Sequence, residues 1–175
     1  MKRLLSNIRV FFRRNRKECT FFIVFISIFI IAQSLYYFSR PLKVPDYIQI
    51  TNARLSSAVI NIITPKEETI IDGKNIMSGV FLMKIAWGCE GVEGIFLIVA
   101  ALTAYSMKRK WKVYGILAGT AFLYTLNIFR IIFLYYTAKY NPTLFDIMHV
   151  YVGQTFTIFF GVFFFVVWIY AFSNR

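Results

Sequence analysis

Residues 20–38 read TFFIVFISIFIIAQSLYYF, nineteen residues without a single charge. A helix rises about 1.5 Å per residue and a bilayer's hydrocarbon core is about 30 Å thick, so this stretch is long enough to cross a membrane once. Residues 1–19, just before it, carry seven bases (Lys2, Arg3, Arg9, Arg13, Arg14, Arg16 and Lys17) against one acid, Glu18. A secretory signal peptide would end in a small-x-small cleavage site, but the exit here is Gln33-Ser34-Leu35-Tyr36-Tyr37. The segment therefore reads as an uncleaved signal anchor behind a basic cytoplasmic tail.

The rest of the chain agrees with a membrane setting. Of its 175 residues, 58% are apolar, 19% aromatic and only 16% charged; a soluble domain runs to about 45–50% apolar and 25% charged. Two cysteines exclude a disulfide scaffold and a multi-cysteine zinc site, and one histidine excludes a His-rich metal cluster, so no metal or cofactor is expected. A net charge of +12 in a soluble protein would suggest nucleic acid. Here the bases flank apolar runs and act as topology signals, so no nucleic-acid partner is expected and the lipid bilayer is.

Three more spans follow. Residues 39–88 form a mixed segment with Pro41, Pro45 and Pro65, six bases and four acids. Within it, residues 47–63 have apolar positions at loose helical spacing, suited to a helix lying on the membrane surface. Residues 89–107 make the second span, with Cys89, Glu90 and Glu93 at its polar end. The third covers residues 113–138, interrupted by Arg130. The fourth covers residues 149–173, after a turn at Asn141-Pro142. The expected fold is one all-α domain, a polytopic bundle of about four transmembrane helices with an extra interfacial helix in the outer loop. The basic tail and the turn Lys108-Arg109-Lys110-Trp111-Lys112 hold eleven bases in 24 residues, against six in the 50 residues of the 39–88 segment. The positive-inside rule then puts both termini in the cytoplasm and the long loop outside.

Ionisable and strongly polar groups inside spans are costly, so each is a functional candidate. Cys89, Glu90, Glu93, Asn127, Arg130 and His149 form that set. Cys89 lies 17 residues before Ser106 and Arg130 lies 17 after Val113, each about 26 Å above the cytoplasmic face; His149 opens the last span from outside. All three reach one layer near the outer interface. A thiol becomes a nucleophile on losing its proton, which a nearby cation favours and a histidine can accept. An arginine can bind a carbonyl or a developing oxyanion. Asn127 and Arg130 share one helix face, as do Cys89 and Glu93.

Each residue also has a plainer reading. Cys89 could be small apolar filler, and Arg130 and His149 interfacial snorkelling groups. Glu93 could be a structural partner of Arg130. Gly88, Gly91 and Gly94 could serve close helix packing or let a substrate backbone approach. Cys19 lies at the opposite face and is assigned no role. From residues alone, a small transporter or channel subunit and a non-catalytic assembly protein stay open beside an enzyme.

Three ordered motifs add to this. Gly88-Cys89-Glu90-Gly91-Val92, then Asn127-Ile128-Phe129-Arg130, then His149-Val150-Tyr151-Val152-Gly153 resemble the exosortase/archaeosortase family, in its compact, short-chain branch. The resemblance covers about residues 80–170. It implies a cysteine transpeptidase or protease of the cytoplasmic membrane, with Cys89 as nucleophile, His149 as acid/base and Arg130 as stabilising cation. Asn127, Glu90, Glu93 and Gly91 would support the site or bind substrate. The implied partner is a membrane-anchored protein ending in a short motif, a transmembrane helix and a basic tail. The implied acceptor is a lipid or a glycan.

Overall fold

The computed structural model describes residues 15–173. The bases Lys2, Arg3, Arg9, Arg13 and Arg14 of the expected tail lie outside the described residues. Helix α1 spans Arg16–Phe38 and α2 spans Val44–Ile63. Three short strands follow, β1 (Ile70–Asp72), β2 (Asn75–Ser78) and β3 (Phe81–Lys84). Helix α3 covers Val92–Ala104, α4 Arg109–Tyr140 and α5 Pro142–Ile147. A π-helical turn, Met148–Val152, leads into α6, Gly153–Phe172. The molecule is an all-α membrane bundle carrying a small sheet.

Helices α1 and α4, together with the 155–172 part of α6, are long and apolar enough to cross a membrane. Their burial pattern suits lipid. Phe22, Ile23, Ile26, Ile30 and Ile31 of α1 and Phe159, Phe163, Val166 and Val167 of α6 all point away from the protein, which a water-soluble fold would not tolerate in such numbers. Helix α3 is the hub, packed against α1, α4 and α6. With 13 residues it is about 20 Å long, short of the hydrocarbon thickness. The sequence reading starts this span at Cys89. The helix instead begins at Val92, because Gly91 sits at φ +79°, in the left-handed region where helical winding cannot continue. Cys89 is thus a loop residue at the head of the span.

Two clusters hold the bundle. The one inside the spans is built on Ile98, Leu102 and Leu123, with Phe160, Phe164 and Trp168 packed on it. Gly115 and Gly119 on α4 make this close approach possible: a Cβ at Gly115 would stand 2.5 Å from Trp168 Nε1, and one at Gly119 2.8 Å from Phe164 Cε1. Small residues at i and i+4 let large rings from the facing helix seat against the backbone. The second cluster joins α2, the sheet and the far half of α4 through Ala53, Ile60, Ile76, Ile85, Ile131 and Tyr135, and it includes Cys89.

The 39–88 segment is more ordered than its composition suggests. Its helix covers the expected 47–63 stretch, but it buries Gln49, Asn52, Ala53, Ser56, Ser57 and Ile60 and exposes Tyr47, Leu55, Ile62 and Ile63. The polar stripe faces inward because the loop and sheet beneath it present backbone groups that need partners. Ser57 Oγ meets Thr69 Oγ1 at 2.7 Å, and Asn61 Nδ2 donates to the Thr69 carbonyl at 2.9 Å. The sheet, which the sequence reading lacks, runs β1–β2–β3 antiparallel with Asp72 opposite Asn75 and Ser78 opposite Phe81. Its tight turns use Gly73 and Gly79, both at φ +57°.

Glu67 ties this segment to α4. Its carboxylate accepts hydrogen bonds from Tyr135 Oη (2.6 Å), Lys139 Nζ, Tyr140 Oη and Ser78 Oγ. Burial alone would raise this carboxyl's pKa, but the hydrogen bonds together outweigh it and hold the group down at about 2. An unfolded glutamate titrates near about 4.3, so the brace contributes in full above that pH and is lost as pH falls through about 2. Glu67→Gln should destabilise the chain by about 2 kcal/mol at pH 7. In thermal melts of detergent-solubilised protein, the gap between wild type and variant should close between pH 5 and pH 2; an equal gap at both ends would contradict the brace.

Candidate active site

The site is built from the loop between β3 and α3. Ile85 N–H donates to the Lys74 carbonyl at 3.0 Å, and Cys89 N–H to the Ala86 carbonyl at 3.1 Å, which folds residues 86–89 into a turn. Gly88 at φ +87° and Gly91 at φ +79° bracket Cys89 and Glu90. Glu90 is 1% exposed and works as an internal clasp. One carboxyl oxygen accepts from Gln49 Nε2 at 2.6 Å and the other from the Gly88 N–H at 2.7 Å, while its backbone carbonyl accepts from Asn52 Nδ2 at 3.1 Å. From the other side, Asn127 Nδ2 on α4 donates to the Cys89 carbonyl at 3.1 Å. The loop is thus held by side chains of two different helices, α2 above and α4 below.

This clasp presents Cys89 to His149. Sγ lies 3.7 Å from His149 Nδ1 and 3.9 Å from Nε2, so either ring nitrogen is within reach of the thiol proton. His149 sits in the π-helical turn, where one extra residue per turn re-aims side chains relative to a regular α-helix. Phe145, one turn earlier, stacks on the imidazole with centroids 5.5 Å apart and planes 6° apart. Arg130 Nη2 donates to the His149 carbonyl at 3.3 Å, tying α4 to the same turn. The guanidinium lies against Gly153, where a Cβ would come within 2.4 Å of Nε. That Nε is buried and makes no hydrogen bond among the described residues.

Cys89 is 7% exposed. A thiol must lose its proton to act as a nucleophile, and His149 is the base within reach of it.

The structure brings together Cys89, Arg130 and His149, with Asn127, Glu90 and Gly91 supporting the loop. Asn127 and Arg130 share a helix face but serve different parts of the site, one bonding the Cys89 loop and the other the His149 turn. Glu93, half-buried on the first turn of α3, forms no ion pair with Arg130 within 4 Å among the described residues. No group of three His, Cys, Asp or Glu side chains among the described residues is placed to hold a metal ion. Cys19 lies on α1. Gln49 and Asn52 did not stand out in the sequence, and Gly153 stood out only as the end of the His149 motif and not as the seat of Arg130. The first two carried a signal: polar residues at 49, 52 and 56 form one helical stripe in an otherwise apolar segment.

Gly91 is the loop's tightest point, since a Cβ there would fall 2.5 Å from Asn127 Cγ, on a backbone that L side chains resist. Gly91→Ala should cost about 1–2 kcal/mol in backbone strain and displace Asn127 from the Cys89 carbonyl. The check is the alkylation rate of Cys89 in a Cys19→Ser background. It should rise several-fold in Gly91→Ala; an unchanged rate would mean the loop does not depend on this contact.

The family model of transmembrane exosortases matches residues 8–169. No curated protein and no solved structure gives a match.

Proposed function

The chain belongs to the transmembrane exosortase family, and we propose that it is a membrane-embedded cysteine transpeptidase or protease that cleaves the C-terminal sorting signals of exported proteins. The observation that carries this reading is the 3.7 Å approach of Cys89 Sγ to His149 Nδ1, with Arg130 bonded to the same turn. A nucleophile, a base and a fixed cation at one end of a lipid-facing bundle suit acyl transfer at a membrane interface.

Both termini lie in the cytoplasm and the Cys89 layer faces the outside of the cytoplasmic membrane, supported by the bases at residues 1–17 and 108–112. The substrate's transmembrane helix docks laterally against α3, α4 and α6. Its basic tail stays inside, so its scissile motif reaches Cys89.

Chemistry then proceeds in two steps, acylation of Cys89 and release of the acyl group. His149 takes the Cys89 proton as Sγ attacks the scissile carbonyl carbon, and Arg130 stabilises the charge gathering on the carbonyl oxygen. As the tetrahedral species collapses, the C–N bond breaks and the leaving nitrogen takes the proton from His149, leaving a thioester on Cys89. Water, or an amine or hydroxyl of a lipid or glycan acceptor, gives its proton to His149 and attacks the thioester. The C–S bond breaks and the sulfur regains the proton.

Co-expression with a protein ending in a motif, a helix and a basic tail tests these roles. Cys89→Ala should abolish processing and let uncut substrate accumulate. His149→Ala should lose about 10²–10⁴-fold, the usual worth of general acid–base help. Arg130→Lys should also fail largely, because a point charge does not reproduce a planar, forked donor. Wild-type processing by Cys89→Ala would remove the nucleophile assignment and return the transporter or assembly readings.

A further inference from the structure

A second site adjoins the first on its other side. A cavity of about 410 Å³ opens between the end of α1, the start of α2 and the sheet, lined by Arg40, Asp46, Gln49, Lys74, Lys84 and Trp87. Three of these side chains are cationic and one is anionic. Asp46 is already matched, since its Oδ1 lies 3.0 Å from Lys74 Nζ. Lys84 stands exposed at the end of β3 and has no ion pair among the described residues. Arg40 is held in place by rings, its Cζ 3.7 Å over Trp87 and 4.3 Å over Tyr37. A guanidinium fixed against two aromatic faces keeps its N–H edge free and has already lost most of its rotamer freedom, so binding an anion orders it little further.

We propose that this cavity binds a phosphate group at the membrane surface. Beyond the Lys74–Asp46 pair the lining adds two cations, Arg40 and Lys84, and no second acid, which favours an anion, and Arg and Lys donors form charge-assisted hydrogen bonds to phosphate oxygens. The setting favours a phosphate carried by a lipid. Arg40 lies two residues past the end of a membrane-crossing helix, and Phe38, Leu42 and Tyr47, which flank the lining residues in the chain, expose apolar side chains on which acyl chains can lie. Trp87 supplies an amphipathic ring of the kind that sits at headgroup depth.

The cavity is wired to the Cys89 loop. Gln49 lines it and donates to Glu90, whose other oxygen accepts from Gly88 beside Cys89. Trp87 is two residues before the thiol. A bound headgroup would therefore stand beside the proposed nucleophile, although the site's existence does not depend on that activity.

The test is a binding measurement on the full chain in a neutral, phosphate-free detergent, titrated with dihexanoyl phosphatidylglycerol, with inorganic phosphate and with an acidic peptide that lacks phosphate. Phosphatidylglycerol should bind saturably. Lys84→Gln should weaken it about tenfold, the Lys74→Gln/Lys84→Gln double variant more, and Lys66→Gln, a base outside the cavity, should leave it unchanged. Lys84 is exposed and has no ion pair among the described residues, and an unchanged melting temperature of the unliganded Lys84→Gln chain would certify its fold. Tighter binding of the lipid than of inorganic phosphate supports a headgroup site; equal binding supports a free-phosphate site of the same chemistry. Saturation by neither phosphate probe, a dissociation constant unmoved by the double variant, or tighter binding of the acidic peptide would each overturn the proposal.

Discussion

The buried carboxyl of Glu90 is the constraint around which the site is arranged. A polar group with almost no solvent contact must find partners within the protein or cost several kcal/mol. Glu90 finds them in Gln49 of α2 and in the N–H of Gly88 in its own loop. Those partners fix three things at once: the curl of the Cys89 loop, the inward rotation of α2's polar face, and the register between α2 and the head of α3. Asn127 completes the arrangement from α4 by holding the Cys89 carbonyl. The placement of the thiol is thus a result of polar satisfaction in a loop, with apolar packing as background.

This arrangement sets Cys89 beside His149 at one end of a bundle of apolar helices. Three long apolar helices supply the anchor, and few of their side chains are buried inside the protein. Helix α3 is too short to cross by itself, so its head is completed by the loop, and there the backbone is free to adopt the left-handed conformations at Gly88 and Gly91. Helix α2 covers this loop and bonds it through Gln49 and Asn52, and Glu67 braces the segment that follows α2 to α4. On the opposite side the π-helical turn brings His149 to the thiol, and Gly153 leaves room for Arg130 behind it.

The bundle was legible because hydrocarbon thickness imposes uncharged runs such as residues 20–38. Cys89, Arg130 and His149 stood out for the same reason, as reactive or charged groups beside such runs. The partners that position them were not legible. Gln49 and Asn52 belong to a segment whose apolar residues suggest the opposite face, and their inward turn depends on the loop beneath, 38 to 41 residues further along the chain. The small sheet escaped for a different reason: its strands are three or four residues long, too short for alternation to declare itself, although Asp72-Gly73 is a hairpin signal. The start of α3 at Val92 rather than Cys89 is set by one glycine's dihedral angle, which hydropathy does not encode.

The central claim is that Cys89 becomes acylated while His149 moves the proton. The most direct measurement is the intact mass of the full chain, quenched during turnover of a sorting-signal substrate and mapped by digestion. The account predicts a substrate-derived acyl adduct on the peptide containing Cys89, released by neutral hydroxylamine as a thioester is, and greatly reduced in His149→Ala. An adduct on another residue, or an adduct that persists in Cys89→Ala, would contradict it.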